Sequence, residues 1–171
     1  LIDKLTSGAS ETSLLGMSNV DEEEEIIITN CDQYLNWDSK EFLKKSRGYD
    51  SSVLTYKSTD PKNSFAQLID KKIVKIVEKE VISNNALVGV HYWKKASYFI
   101  DSANQLIREI NDKESYISET FNYLLKKNLN VGCIDIGEGS YWSTGTPEDL
   151  KVFKGMILEF QTAKINTYFF D

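Results

Sequence analysis

The chain has 171 residues, 41% of them hydrophobic, with only two prolines and nine glycines. That is long enough for one domain with a real core, and ordinary for a globular protein. Twenty basic against 26 acidic side chains leave a net charge of −6, which argues against a surface built to follow nucleic-acid phosphates or an anionic membrane. Cys31 and Cys133 are the only cysteines and stand apart without metal-ligand spacing. With no secretory signal, they predict reduced, buried thiols in a cytoplasmic protein. No apolar run approaches the roughly 20 residues needed to cross a bilayer.

The sequence opens on Leu1-Ile2-Asp3-Lys4-Leu5, an apolar pattern already in progress. It predicts the last turns of a helix over residues 1–7, stopped by Gly8, and reads as though the beginning of the chain is missing. Residues 12–17 predict a short strand. The acid run 21–25 reads as a solvated turn, and residues 26–29 as a second strand. Both strands are apolar throughout, the pattern of parallel sheets covered on both faces. Ser39 is placed to cap a helix running to about residue 45. Strands follow at 52–56, 64–68 and 73–77, the last two joined by the turn Asp70-Lys71-Lys72. Residues 86–93 make another nearly continuous apolar strand.

Phe99, Ile100, Ala103, Leu106, Ile107 and Ile110 form a helical stripe over residues 97–110, and Phe121, Leu124 and Leu125 repeat it over 118–127. Residues 131–136 predict a strand. Thr146-Pro147-Glu148-Asp149 is a strong helix start, with a capping hydroxyl, Pro at the first helical position and acids at the positive end of the dipole. No repeat or Pro- or Gly-rich linker divides the chain, so residues 1–171 are expected to form a single domain. The alternation of elements predicts an α/β three-layer sandwich with a mostly parallel mixed sheet, rich in hairpins between about residues 51 and 93.

In such sheets ligands bind outside the carboxyl ends of the strands. Asp32 falls at the end of the strand over 26–29. Its carboxylate either caps the following turn or the helix from Ser39, or holds a hard cation such as Mg²⁺ together with substrate phosphates. Asn30 and Gln33 stand at the same rim. Glu78-Lys79 closes the strand over 73–77, either as a solvated end or as a ligand-contacting pair. Gly89 inside a strand marks a close approach to the backbone or a bulge. His91, the single histidine, alternates with Tyr92 across the strand and is read as structural or functional. The loop over residues 137–146 carries three glycines, Tyr141 and Trp142, and reads as a wall that stacks or orients a polar ligand. Glu148 and Asp149 disfavour a phosphate at the helix start that follows. No Ser/His/Asp or Cys/His signature, zinc spacing or Gly-x-Gly-x-x-Gly is present, which leaves hydrolase and dehydrogenase readings unsupported.

Five stretches occur in a characteristic order: Ile27-Ile28-Thr29-Asn30-Cys31-Asp32-Gln33 with Trp37-Asp38; Ser58-Thr59-Asp60-Pro61-Lys62-Asn63-Ser64-Phe65; Val77-Glu78-Lys79-Glu80-Val81-Ile82-Ser83; Val88-Gly89-Val90-His91-Tyr92-Trp93; and Trp142-Ser143-Thr144-Gly145-Thr146-Pro147-Glu148-Asp149-Leu150. In this order they resemble the sugar-phosphate nucleotidyltransferases of the glucose-1-phosphate thymidylyltransferase type, especially bacterial members tied to capsule and surface-glycan synthesis. The resemblance runs from Leu1 to about residue 160. It implies the nucleotide-diphospho-sugar transferase fold, N-terminally incomplete, and the transfer of a nucleotidyl group from a nucleoside triphosphate to a sugar 1-phosphate with release of pyrophosphate.

By the same resemblance, Asp32 holds Mg²⁺, Glu78 and Lys79 contact the sugar and its phosphate, and Gly89 lines the sugar pocket. Lys79 joins Asp32 as a catalytic candidate, and Asn30, His91 and Trp142 are substrate-binding candidates. Nucleoside triphosphate and sugar phosphate are the expected partners, nucleic acid and membrane are not, and an open sheet edge leaves room for homo-oligomers. Three departures stand out. The Gly-rich nucleotide-binding start is absent, so this chain alone is expected to be inactive. Ser143 stands where a second metal-binding Asp is common, with Asp135 and Glu138 as substitutes. His91 stands where a tyrosine is common. The competing expectations are a metal-dependent glycosyltransferase and a non-catalytic binding module.

Overall fold

The computed structural model describes residues 5–110 and 113–169, with residues 159–169 described by their backbone. In chain order, its helices are α1 (Ala9–Leu15, followed by a 3-10 turn at Gly16–Asn19), α2 (Ser39–Ser46), α3 (Ala96–Glu109), α4 (Ile117–Lys126) and α5 (Pro147–Phe169). The strands are β1 (Ile26–Thr29), β2 (Gln33–Leu35), β3 (Ser51–Lys57), β4 (Ser64–Ile69), β5 (Lys72–Glu78), β6 (Asn85–Trp93), β7 (Val131–Asp135) and β8 (Tyr141–Ser143). The described residues fall into two compact units. One is drawn from residues up to Thr29 and from Asp38–Glu138, the other from Asn30–Trp37 and residues from Gly139 onward.

The first unit is a mixed sheet in the order β5-β4-β6-β3-β7, with β1 also beside β6. The expected α/β class holds, but the pairing is mostly antiparallel, and β3 with β7 is the one parallel pair among the described strands. The long apolar run of β6, buried from Ala86 to Trp93, reports that both faces are covered. It carries no information on strand direction. Direction follows from the connections: β4 and β5 are joined by Asp70 and Lys71 alone, both at positive φ (48° and 66°), a two-residue hairpin that excludes a parallel crossover.

Helices cover both faces, as a three-layer arrangement requires. Ser52 and Tyr92 are register partners on β3 and β6. On their face the Ser52 hydroxyl donates to Ser46 Oγ at the end of α2 (2.8 Å). Val53 and His91 pair on the opposite face, where the His91 ring lies 5.6 Å from Phe121 of α4. Trp93 stacks on the same Phe121 at 4.9 Å and meets Phe99 of α3 at 4.9 Å. This aromatic cluster and the aliphatic residues around it form the core.

Gly89 resolves as a bulge. Its φ is 82°, and the β3–β6 register slips between Val53 and Thr55, which face His91 and Leu87. Here β6 also changes neighbour on its other edge, from Phe65 of β4 at Ala86 to β1 at Val90–Trp93. A side chain at this φ is disfavoured by contact with its own backbone. Gly89→Ala is expected to cost about 1–2 kcal/mol, read as a lower urea midpoint with an unchanged slope.

Several local expectations are corrected. Residues 12–17 are not a strand: they continue α1 into the 3-10 turn. Glu11 in the first turn accepts from Ser7 N at 2.6 Å, a helix-start pattern that outweighs a short apolar run. Gly8 therefore opens a helix rather than ending one. Of the helix expected over residues 1–7, residues 1–4 lie outside the described residues, and 5–7 are not helical.

The cap of α2 is Asp38, not Ser39, and its Oδ1 accepts from Lys40 N (2.9 Å) and Glu41 N (3.0 Å). β1 alternates half-buried and exposed residues instead of being covered on both faces. The acid run is exposed yet fastened. Glu25 accepts from Tyr92 (3.0 Å) and Arg47, and Arg47 holds its carboxyl below the usual range. Glu23 pairs with Lys95, while the carbonyls of Glu22 and Glu24 receive Ser97 N and Ala96 N at the start of α3. Cys31 is exposed, against expectation. Cys133 is half-buried, with burial pushing its thiol up.

The second unit contains the two-stranded sheet β2–β8 and the start of α5. Tyr34, Trp142 and Phe153 pack with ring separations of 5.1 to 6.4 Å. Thr146 Oγ1 accepts from Asp149 N at 3.1 Å, the capping contact expected at this helix start.

Candidate functional site

Asp32 does not end a buried strand. It is exposed, past the end of β1 and directly before β2. Its carbonyl accepts from Thr144 N at 2.9 Å, which ties it to the segment after β8. Its carboxylate fills the space beside Gly145: a Cβ built on that glycine would stand 2.6 Å from Asp32 Oδ2. The glycine is what lets the carboxylate lie there. In the same unit the Ser143 hydroxyl donates to Asp149 Oδ2 (3.1 Å). Asp135, considered as a second acid, instead pairs with Lys57 (3.7 Å) and accepts from Gly137 N (2.6 Å).

Among the described residues no group of three or more His, Cys, Asp or Glu side chains converges. Asp32 thus stands as a single exposed carboxylate, not as part of an all-protein metal cage among the described residues. Asn30 is exposed beside it, with its carbonyl accepting from Gln33 Nε2 at 3.5 Å. Trp142 is half-buried against Tyr34 and Phe153.

The first unit holds the other candidates. Glu78 ends β5 opposite Ser64 in the β4–β5 register. Its Oε2 accepts from the Ser64 hydroxyl and from Ser118 of α4 at 2.9 Å, while Oε1 takes neither bond. Lys79 follows at φ 55°, an unfavourable left-handed conformation for a lysine, fixed by its N–H donating to Asn63 O at 3.0 Å. Its ammonium donates to the Tyr116 hydroxyl at 2.5 Å and lies 4.6 Å from the centre of that ring. This bond, more than any other influence, raises the Lys79 pKa.

Gly89 and His91 both lie buried on β6. His91 packs against Phe121 and Trp93, and its Nδ1 has no hydrogen-bond partner. Burial pushes the imidazole down to about 4, against a smaller opposing pull from the Ile28 backbone. The ring is therefore neutral at pH 7, and its surroundings are those of a core residue. A depressed pKa means that the unfolded chain binds the proton more readily. The stability His91 provides is full above its unfolded value near 6.5 and is lost as pH falls toward 4. The expected loss is about 3 kcal/mol. Denaturant titrations of the wild type and His91→Phe at pH 7 and pH 4.5 read it as a steeper decline in the wild type.

The structure thus groups Asn30, Asp32 and Trp142 in one unit and Glu78, Lys79, Gly89 and His91 in the other. Sequence reading missed Ser64, Ser118 and Tyr116. Ser64 was legible in principle, because the turn at Asp70-Lys71 sets the register that faces it to Glu78. Tyr116, 37 residues beyond Lys79, had no local signal.

Neither a family model nor a curated protein matches the sequence. Solved structures do match the fold. The chain aligns with a nucleoside-diphosphate-sugar pyrophosphorylase from Vibrio cholerae RC9 at a TM-score of 0.79 and 22% identity, over 89% of this chain and 66% of that one. It also aligns with a Bacillus anthracis protein described as a glucose-1-phosphate thymidylyltransferase, at a TM-score of 0.73 and 18% identity, over 91% of this chain and 63% of that one. The chain spans less than two thirds of the second and about two thirds of the first. It shares with both a mixed α/β fold.

Proposed function

We propose that this chain is the sugar- and metal-binding part of a nucleotidyltransferase domain that joins a nucleoside triphosphate to a sugar 1-phosphate, giving a nucleotide-sugar and pyrophosphate for bacterial surface-glycan synthesis. The observation that carries this reading is the Glu78–Lys79 pair. A lysine is held in a costly backbone conformation with its ammonium fixed on Tyr116, and the carboxylate before it accepts two hydroxyls at Oε2. A fixed cation beside a carboxylate acceptor suits a ligand with a phosphate at one end and hydroxyls at the other.

In the proposed reaction an oxygen of the sugar phosphate attacks the α-phosphorus of the triphosphate, and the bond to the β-phosphate breaks to release pyrophosphate. Lys79 binds the sugar phosphate and offsets the charge that opposes this attack. Glu78 orients the sugar by accepting from a hydroxyl at Oε1. Gly89 leaves backbone where a side chain would otherwise stand. Asp32 would hold Mg²⁺, which when bound supplies charge neutralisation and alignment for the in-line displacement. The net charge of −6 makes those cations matter more and agrees with partners other than nucleic acid. No described helix is long and apolar enough to cross a membrane.

The test is to supply the protein, with any residues encoded before Leu1, with Mg²⁺, each nucleoside triphosphate and a panel of sugar 1-phosphates. Pyrophosphate formed only when all are present supports the reading. Consumption of a preformed nucleotide-sugar without pyrophosphate would point to glycosyl transfer instead.

A further inference from the structure

We infer that Tyr116 is a positioning residue for the sugar-phosphate site, holding the Lys79 ammonium through its hydroxyl while Glu114 and the fastened Ser115 fix Tyr116 itself. This deepens the reading above and rests on it. The Tyr116 hydroxyl donates to a Glu114 carboxylate oxygen, so the phenolic oxygen turns its lone pairs toward Lys79 Nζ at 2.5 Å. A free lysine side chain samples many rotamers, and this one is held by its bond to the Tyr116 hydroxyl, with its remaining N–H groups left for a phosphate oxygen.

The loop is fastened as well. Ser115 N donates to Ser7 O (2.8 Å), and Ser115 O accepts from Ser10 N (3.0 Å). The Ser7 and Ser115 hydroxyls are 3.1 Å apart. Gly8 makes the approach possible, since a Cβ there would stand 2.7 Å from both Ser115 N and Ser115 O. From the other side, Ser118, two residues beyond Tyr116 in the first turn of α4, bonds Glu78 (2.9 Å). The start of α4 and the residue before it thus set both members of the pair: Glu78 through Ser118 and Lys79 through Tyr116. The pKa directions agree. The Glu114 bond pushes the Tyr116 phenol up, and the Tyr116 bond keeps Lys79 charged above the ordinary lysine range.

The experiment compares the wild type, Tyr116→Phe and Tyr116→Leu in two readouts on the folded protein. The Lys79 titration midpoint is followed by NMR of methyl-labelled lysines, assigned through Lys79→Arg. The affinity for glucose 1-phosphate and for inorganic phosphate is measured by calorimetry. Tyr116→Phe and Tyr116→Leu both remove the hydroxyl and should lower the Lys79 midpoint and weaken glucose 1-phosphate about threefold. An unchanged midpoint and affinity in both variants would overturn the positioning role while leaving the functional reading intact. A wild type that binds neither probe would overturn the reading and this inference with it, whatever the midpoint does.

Discussion

Asp32→Asn should lower turnover at least about a hundredfold, on the order of 3 kcal/mol of transition-state stabilisation, with the loss deepest at limiting Mg²⁺. The substitution keeps the shape that lies beside Gly145 and removes the charge. Asp32 is exposed and its carbonyl bond to Thr144 N is a main-chain contact, so folding stability should stay within about 0.5 kcal/mol of wild type, as for surface changes generally. The check is a Mg²⁺ titration of initial rate together with a thermal melt. Near-normal activity at limiting Mg²⁺ would remove Asp32 from the metal and return it to the bland role of a turn residue.

The second large effect is expected at Lys79. Lys79→Ala should raise the Michaelis constant for the sugar phosphate roughly tenfold or more, and leave that for the triphosphate nearly unchanged. The asymmetry follows from the neighbours. Tyr116 holds the Lys79 ammonium, and the preceding Glu78 is bonded by the Ser64 and Ser118 hydroxyls, a setting for one phosphate and a polyol rather than for a triphosphate chain. Initial rates with each substrate varied in turn separate the two constants. Equal increases would place Lys79 on the other ligand. Lys79→Arg should recover only part of the loss, because a planar guanidinium does not reproduce the point-charge bond of the ammonium to the Tyr116 hydroxyl.

The elements with long periodic patterns were legible to within a residue or two, and α3, α4, β6 and the start of α5 are the clearest examples. The misreadings share a physical cause. In residues 12–17 the apolar run was too short to distinguish strand from helix, and the decisive signal, Glu11 reaching back to Ser7 N, lay upstream of it. β2 and β8 are three residues each, below the length at which alternation means anything, and they exist because they pair with each other. Strand direction was misjudged because apolar content reports burial, which parallel and antiparallel strands share.

The candidate site shows the same division. Asp32, Glu78 and Lys79 were visible as charged residues ending apolar runs, and Gly89 as a glycine where a strand should not have one. What gives Lys79 its geometry comes from Asn63, Tyr116 and Glu114, which only the tertiary fold brings together. His91 was open to a structural or a functional reading from its type, and its place between Trp93 and Phe121 is that of a packed core residue.

The central claim is nucleotidyl transfer at the α-phosphorus, and the most direct measurement is the fate of label. Nucleoside triphosphate labelled at the α- or the γ-phosphorus is incubated with Mg²⁺, a sugar 1-phosphate and the protein with any residues encoded before Leu1. The account predicts that α-label appears in the nucleotide-sugar and γ-label in pyrophosphate, in equal amounts, with both lost in Asp32→Asn. Label from the γ-position on the sugar phosphate, or a nucleotide-sugar formed equally well by Asp32→Asn, would contradict it.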